Sequence, residues 1–69
     1  MPPKIRELIS ELERAGFHNR GGKGSHRNFL HPKGIIVRLS GNPGEDAKKY
    51  QIRQVALGLN EATKREGRP

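Results

Sequence analysis

The sequence predicts an α+β fold of order α-β-β-β-α, a two-layer sandwich in which two helices cover one face of a three-stranded antiparallel sheet. Two segments near the chain ends carry apolar residues at helical spacing, and three short extended runs lie between them. The turns between those runs are short and rich in glycine and proline, which favours antiparallel pairing of consecutive strands. Both apolar helix faces need a surface to cover, so both helices are expected on the same side of the sheet.

The first helix is predicted over residues 4–15. Gly16 suits the position just after it, because glycine readily adopts the left-handed conformation that often ends a helix. The core-facing side of the helix consists of apolar residues at positions i, i+3, i+4 and i+7, namely Ile5, Leu8, Ile9 and Leu12.

Three strands are predicted over residues 17–20, 25–31 and 35–40. The third has the clearest alternation, which directs every second side chain towards the core: Ile35, Val37 and Leu39. The sequence His-Pro-Lys-Gly at residues 31–34 predicts the turn that joins the second strand to the third, because proline presets one backbone angle and glycine accepts positive φ.

A second helix is predicted after the turn at residues 41–44. Its first turn is expected to include Glu45 and Asp46, whose negative charge suits a helix N-terminus. The chain is predicted to be a single domain, residues 1–69, in which residues 61–69 form a frayed basic tail because they lack apolar anchors. The second helix is expected to cover the sheet with apolar residues at positions i, i+3, i+4 and i+7, namely Ile52, Val55, Ala56 and Leu59.

The charge balance points to an anionic partner. The chain has 14 Lys and Arg against 7 Asp and Glu, a net charge of +7 and a sequence pI of about 10.6. Such an excess attracts polyanions, so nucleic acid is the favoured partner. No basic amphipathic helix with an aromatic face is present, which makes a membrane surface the least favoured partner. An acidic protein, or a basic surface without a specific partner, remains an alternative.

The sequence predicts a cytoplasmic protein. It contains no cysteine, which excludes disulfides and thiolate metal sites and suits a reducing compartment. No apolar run approaches the roughly 18 residues that span a bilayer, and no signal peptide is predicted. Neither a cofactor nor a metal site is predicted, because no ligand cluster of recognisable spacing occurs.

Three histidines are the candidate catalytic residues. His18 and His31 are predicted to be surface residues without a special role. If Phe29 points to the core, period-two alternation places His26 on the open face of the sheet, away from the helices. His26 follows a glycine-rich loop, residues 21–24, through which backbone can approach a bulky ligand closely.

The basic residues around His26, together with Gly24 and Ser25, are predicted to bind phosphate. An imidazole among phosphate-binding cations suits RNA cleavage, because imidazole both accepts and donates protons near neutral pH and cations stabilise a charged transition state. We expect four cations at this end of the sheet: Arg20, Lys23, Arg27 and Lys33.

A set of motifs follows the first helix: Gly16-Phe17, Arg20, Gly24-Ser25-His26-Arg27, Phe29 and His31-Pro32-Lys33-Gly34. With these motifs the chain resembles the HicA-type mRNA interferase toxins of HicA/HicB toxin–antitoxin systems. A further match lies at residues 46–55, so the resemblance spans about residues 4–60.

This resemblance implies a fold like that of double-stranded-RNA-binding domains and endoribonuclease activity on mRNA that blocks translation. It also implies neutralisation by a cognate HicB antitoxin that covers the active site. The family's catalytic histidine matches His26, and its Gly-Ser context matches Gly24 and Ser25. Two alternatives of other classes stay open: a non-catalytic RNA-binding module that uses the same basic surface, and an interaction protein that meets an acidic partner.

Overall fold

The structure is a computed structural model that describes residues 2–24 and 26–66. Its elements follow the order α-β-β-β-α, and the sheet order is β1-β2-β3 with both strand pairs antiparallel. The predicted α+β architecture with a three-stranded antiparallel sheet is therefore confirmed. The elements are α1 (Ile5–Arg14), β1 (His18–Asn19), β2 (Arg27–Leu30), β3 (Ile36–Leu39) and α2 (Lys49–Glu66).

The core lies between the two helices and one face of the sheet. In β3 the predicted alternation is confirmed, because Val37 and Leu39 are buried whereas Ile36 and Arg38 are exposed. Burying these apolar side chains is the main stabilising contribution in so small a domain. Every layer contributes to the set of fully buried side chains, which are Phe17, Phe29, Ile5, Leu12, Leu39 and Val55.

Helix α1 ends at Arg14, and Gly16 takes its predicted position just after the helix. The Gly16 N–H donates to the Glu13 carbonyl (3.1 Å), and the Phe17 N–H donates to the Leu12 carbonyl (3.0 Å). These two bonds form a Schellman motif, which satisfies carbonyls that the helix leaves unpaired. The motif also turns Phe17 into the core, where its ring is 2% exposed.

The prediction that Glu45 and Asp46 lie in the first turn of the second helix is wrong, because α2 begins at Lys49 and that turn has no acidic residue. Residues 43–47 instead run against the start of α1, where the Ile5 N–H donates to the Glu45 carbonyl (2.9 Å). The Glu45 carboxylate accepts from the Asn42 backbone N–H (3.2 Å), and Asp46 pairs with Lys4 at 2.7 Å. Because residues 43–47 pair with the start of α1, α2 begins later in the sequence than predicted, at Lys49.

The inner face of α2 differs in part from the predicted stripe. Val55 is buried, and Ile52 and Leu59 pack partly against the core, but Ala56 is exposed.

Helix α2 also extends through residues 61–66, which were predicted as part of a frayed tail, and Ala62 in this stretch is 4% exposed. The remainder of that predicted tail, residues 67–69, lies outside the described residues. No helix in the described part of the chain is long and apolar enough to cross a membrane.

Candidate functional site

His26 lies immediately before β2 and is exposed. Its backbone N–H donates to the Lys23 carbonyl (3.0 Å), which closes a turn between the glycine-rich loop and the strand. The ladder pairs Arg27 with Leu39, so continuing the register by one residue puts His26 opposite Ser40. No hydrogen bond joins the imidazole of His26 to a side chain in the described part of the chain, and the residue is exposed.

The glycine-rich loop is hydrogen-bonded to the sheet through Gly21. The Gly21 N–H donates to Asn19 Oδ1 (2.8 Å), and the Gly21 carbonyl accepts from the backbone N–H and the side-chain Nδ2 of Asn28, each at 3.2 Å. At Gly22 a Cβ atom would collide with the His26 carbonyl oxygen. The loop can therefore pack against the His26 backbone only because position 22 has no side chain.

A cleft of about 170 Å³ opens beside His26. It lies between the start of β2, the end of β3 and the first turns of α2. None of the described residues that line it is acidic, and two carry a guanidinium group, so the cleft suits an anionic ligand. The lining residues are His26, Arg27, Asn28, Arg38, Leu39, Ser40, Tyr50, Gln51 and Gln54.

Of the nine described residues that line the cleft, His26 and Arg27 were among the predicted site residues and seven were not. The seven include Arg38, Tyr50 and Gln54. Arg38 pairs with Asn28 across the β2–β3 ladder, and both side chains are exposed on the open face. The alternation of β3 already indicates that Arg38 points away from the core. Tyr50 and Gln54 come from α2, more than twenty residues from His26 in sequence, and no local pattern predicts their approach.

Of the predicted phosphate-binding residues, Arg20, Lys23 and Gly24 are exposed and lie at the His26 end of the sheet. The Arg20 N–H donates to the Asn28 carbonyl (2.7 Å), which extends the β1–β2 pairing towards the loop. Ser25 lies outside the described residues. Arg27 is half-buried, and its guanidinium Nη1 donates to the Gly41 carbonyl (2.9 Å), so this side chain helps to hold the turn after β3.

The prediction that Lys33 joins this group is wrong. Lys33 lies in the turn that connects β2 to β3, where the Gly34 N–H donates to the His31 carbonyl (2.8 Å). His26 lies at the opposite end of the same hairpin, before the four residues of β2. At about 3.3 Å per residue, that strand keeps Lys33 well away from the cleft.

His31 is buried, contrary to the prediction that it is a surface residue, and only 6% of it is exposed. Its Nδ1 accepts from the Lys33 backbone N–H (3.1 Å), and its Nε2 lies 3.2 Å from the Ala15 carbonyl oxygen. A carbonyl can only accept, so Nε2 carries the hydrogen. The ring also meets Phe17 edge-on at a centroid distance of 4.9 Å. His18, in contrast, is exposed on β1 as predicted.

The sequence matches the model of a known protein family. The family described as HicA toxin of bacterial toxin–antitoxin matches residues 5–62. These residues include the core-facing side chains of both helices, all three strands and every described residue that lines the cleft. A search of curated proteins finds no match to the sequence.

Proposed function

Because the chain belongs to the HicA toxin family of bacterial toxin–antitoxin systems, we propose that it is a metal-independent endoribonuclease that cleaves mRNA and blocks translation. The observation that carries the proposal is the exposed imidazole of His26 at a cleft that Arg38 also lines and that has no acidic residue in its described lining. Imidazole and guanidinium together supply proton transfer and charge stabilisation, the two requirements of phosphodiester cleavage.

Membership of the family makes the protein the toxin of its system and implies a cognate antitoxin. We propose that this antitoxin is of the HicB type and that it neutralises the toxin by covering the cleft at His26. A net charge of +7 favours an acidic partner surface by long-range attraction. The proposed place of action is the cytoplasm, where mRNA is translated.

The proposed reaction begins with the 2′-hydroxyl of one nucleotide, which attacks the adjacent phosphorus. A bond forms between the 2′-oxygen and phosphorus, and the bond from phosphorus to the 5′-oxygen of the next nucleotide breaks. The 2′-hydroxyl loses a proton and the leaving 5′-oxygen gains one, which yields a 2′,3′-cyclic phosphate and a 5′-hydroxyl. His26 is proposed as the general base or the general acid for one of these transfers, since its ring is exposed at the cleft.

The cations near His26 are proposed to bind the phosphate and to stabilise the additional negative charge of the transition state. Arg38 lines the cleft, and Lys23 and Arg20 are exposed at the same end of the sheet. Arg27 contributes mainly through the location of its positive charge near the phosphate, because Nη1 of its guanidinium already donates to the Gly41 carbonyl. Hard divalent cations are usually held by carboxylates, and no described residue that lines the cleft has one, which supports a mechanism without a metal.

The proposal is tested with purified protein and an mRNA transcript in the presence of excess EDTA. We expect the unaltered protein to cleave the transcript and to leave cyclic phosphate and 5′-hydroxyl ends, because the reaction needs no metal. His26→Ala is expected to slow cleavage by about 10²–10⁴-fold, the usual contribution of one proton-transfer group. The matched control is His18→Ala, which removes another exposed histidine and is expected to keep full activity.

Expression of the same variants in bacteria provides a second measurement. The unaltered protein is expected to arrest growth and shorten cellular mRNA, and His26→Ala is expected to be harmless. RNA binding without cleavage by the unaltered protein would instead support the non-catalytic RNA-binding module. Cleavage that survives His26→Ala would leave the family assignment intact but would refute His26 as the catalytic residue.

A further inference from the structure

We propose that Tyr50 and Gln54 form a nucleobase subsite beside His26, and that the substrate is therefore single-stranded RNA bound with one unpaired base stacked on the Tyr50 ring. This inference rests on the proposed ribonuclease function and specifies the substrate class of the same cleft. Base stacking on an exposed aromatic ring is the common way in which proteins hold unpaired nucleotides.

Tyr50 is unusual among the aromatic side chains of this protein. The two phenylalanines are buried, with Phe17 at 2% and Phe29 at 0% exposure, whereas Tyr50 is 50% exposed. The ring lines the same cleft as the His26 imidazole. An aromatic ring exposed at this place, in a chain with so few apolar residues, contributes little to the core and is available to a ligand.

Gln51, the residue after Tyr50, holds this part of α2 in position. It is 4% exposed; its Oε1 accepts from the Lys48 N–H (2.8 Å), and its Nε2 donates to the Ser40 carbonyl (2.7 Å). The first bond caps the start of α2, and the second attaches the helix to the residue opposite His26. The position of Tyr50 relative to His26 is thus set by buried hydrogen bonds before any ligand binds, which lowers the entropic cost of binding.

The chemistry around Tyr50 fits one nucleotide. Gln54 follows Tyr50 by four residues, so both lie on one side of α2, and both line the cleft. The Gln54 amide can donate to and accept from the edge of a base, while Arg38 supplies a cation for the neighbouring phosphate. In duplex RNA the bases are paired and the major groove is too deep and narrow for side chains to read, so an unpaired base is the ligand that fits.

The binding test uses intrinsic fluorescence, because Tyr50 is the one tyrosine of a chain without tryptophan. A short single-stranded RNA oligonucleotide is titrated into His26→Ala, which prevents cleavage during the measurement. Stacking is expected to produce a saturable decrease in tyrosine fluorescence. An abasic oligonucleotide of equal length and charge is expected to bind about 10-fold more weakly and without that decrease. A duplex of the same sequence is expected to behave like the abasic strand.

Variants at position 50 give the second test, now in the protein with His26 intact. Tyr50→Ala is expected to raise KM about 10-fold with a smaller change in kcat. Tyr50→Phe, which keeps the ring, is expected to restore most of the affinity that Tyr50→Ala loses. Gln54→Ala, at an exposed position, is expected to change the relative rates for the four bases and leave stability unaltered. Circular dichroism of each variant confirms that the helix is retained.

The inference is overturned if equal affinities are found for the base-containing and abasic strands, or if Tyr50→Ala leaves KM unchanged. It is also overturned if Tyr50→Ala weakens only antitoxin binding, which would assign the ring to a protein contact. The fluorescence titration does not require catalysis, so failure of base stacking and failure of the proposed ribonuclease activity give different results.

Discussion

The two ends of the β2–β3 hairpin each carry a histidine, and the two side chains have opposite environments. His26 precedes β2, is exposed and lines a cleft beside Arg38. His31 follows β2, is buried against Phe17, and has both ring nitrogens within hydrogen-bond distance of the backbone. The same residue type thus occurs in two different environments within six residues, one exposed and one buried.

Hydrogen bonding of the ring distinguishes a candidate catalytic histidine from a structural one. A ring whose nitrogens already bond to the backbone cannot exchange a proton with substrate without loss of those bonds. His31 joins the end of α1, through the Ala15 carbonyl, to the turn at Lys33. Loss of His26 should therefore affect activity alone, and loss of His31 should affect the fold.

The largest expected effect follows from His26→Ala measured for activity and stability together. Single-turnover cleavage is expected to fall by about 10²–10⁴-fold because a proton-transfer group is lost. The free energy of unfolding, measured by urea denaturation, is expected to change by less than about 0.5 kcal/mol because the side chain is exposed. A large decrease in stability would remove the contrast between the two histidines.

His31→Ala is expected to lower the free energy of unfolding by about 2–4 kcal/mol. The substitution removes ring packing against Phe17 and leaves the Ala15 carbonyl without its donor in a buried site. Thermal and urea denaturation measure the effect. His31→Gln, which keeps one donor and one acceptor, serves as the control and is expected to recover part of the loss. The rate per folded molecule should stay near that of the unaltered protein; a loss like that of His26→Ala would give His31 a direct role.

Two cations at opposite ends of the hairpin allow the same contrast to be tested for RNA binding. Arg38→Gln is expected to weaken binding of a single-stranded RNA by about 10-fold, because Arg38 lines the cleft, and to reduce the salt dependence by about 0.7 in slope. Lys33→Gln removes the same charge from the far turn and is expected to have a much smaller effect. Affinity measured over a range of salt concentrations separates them. Equal effects would show that net charge, rather than the cleft, determines binding.

The smallest expected effect is that of Gly58→Ala, which disturbs the fold without contact with either histidine. A Cβ at position 58 would lie 2.5 Å from Val37 Cγ2, so α2 would have to move away from β3. Overpacking of this kind costs about 1–3 kcal/mol, which is offset in part by the helix propensity of alanine, and leaves a net loss of roughly 1 kcal/mol.

Chemical denaturation measures this loss, and Gly58→Ala combined with Val37→Ala provides the control, since the double variant should show a favourable coupling. Activity is expected to follow the folded fraction, as for His31→Ala. An increase in stability would show that the helix moves freely at this contact.

Local patterns predicted the elements and their faces better than their ends. The alternation of β3 correctly placed Val37 and Leu39 in the core, because neighbouring side chains of a strand point to opposite faces. The start of α2 was mispredicted because it depends on pairing between residues 43–47 and the start of α1, which no local signal reveals. The burial of His31 depends likewise on α1, whose last turn supplies the Ala15 carbonyl.

The candidate site could be predicted in part. His26 was identified from its motif and from strand alternation, and its exposure agrees with that prediction, although its catalytic role is still a proposal. Lys33 was grouped with it in error, even though its place in the predicted turn already separates the two residues. Arg38 is recognisable from the alternation of β3, but Tyr50 and Gln54 reach the cleft only through the packing of α2.

Four properties follow from the sequence without tertiary contacts: the order of elements, the apolar faces of α1 and β3, the basic character of the chain and the family to which it belongs. Each of these depends on residue type or on spacing within one element. The tertiary structure alone decided which histidine is buried, which cations share a cleft with His26, and that Tyr50 lies beside it. These features depend on strand register and on contacts between elements distant in sequence, and such contacts form only when the whole core assembles.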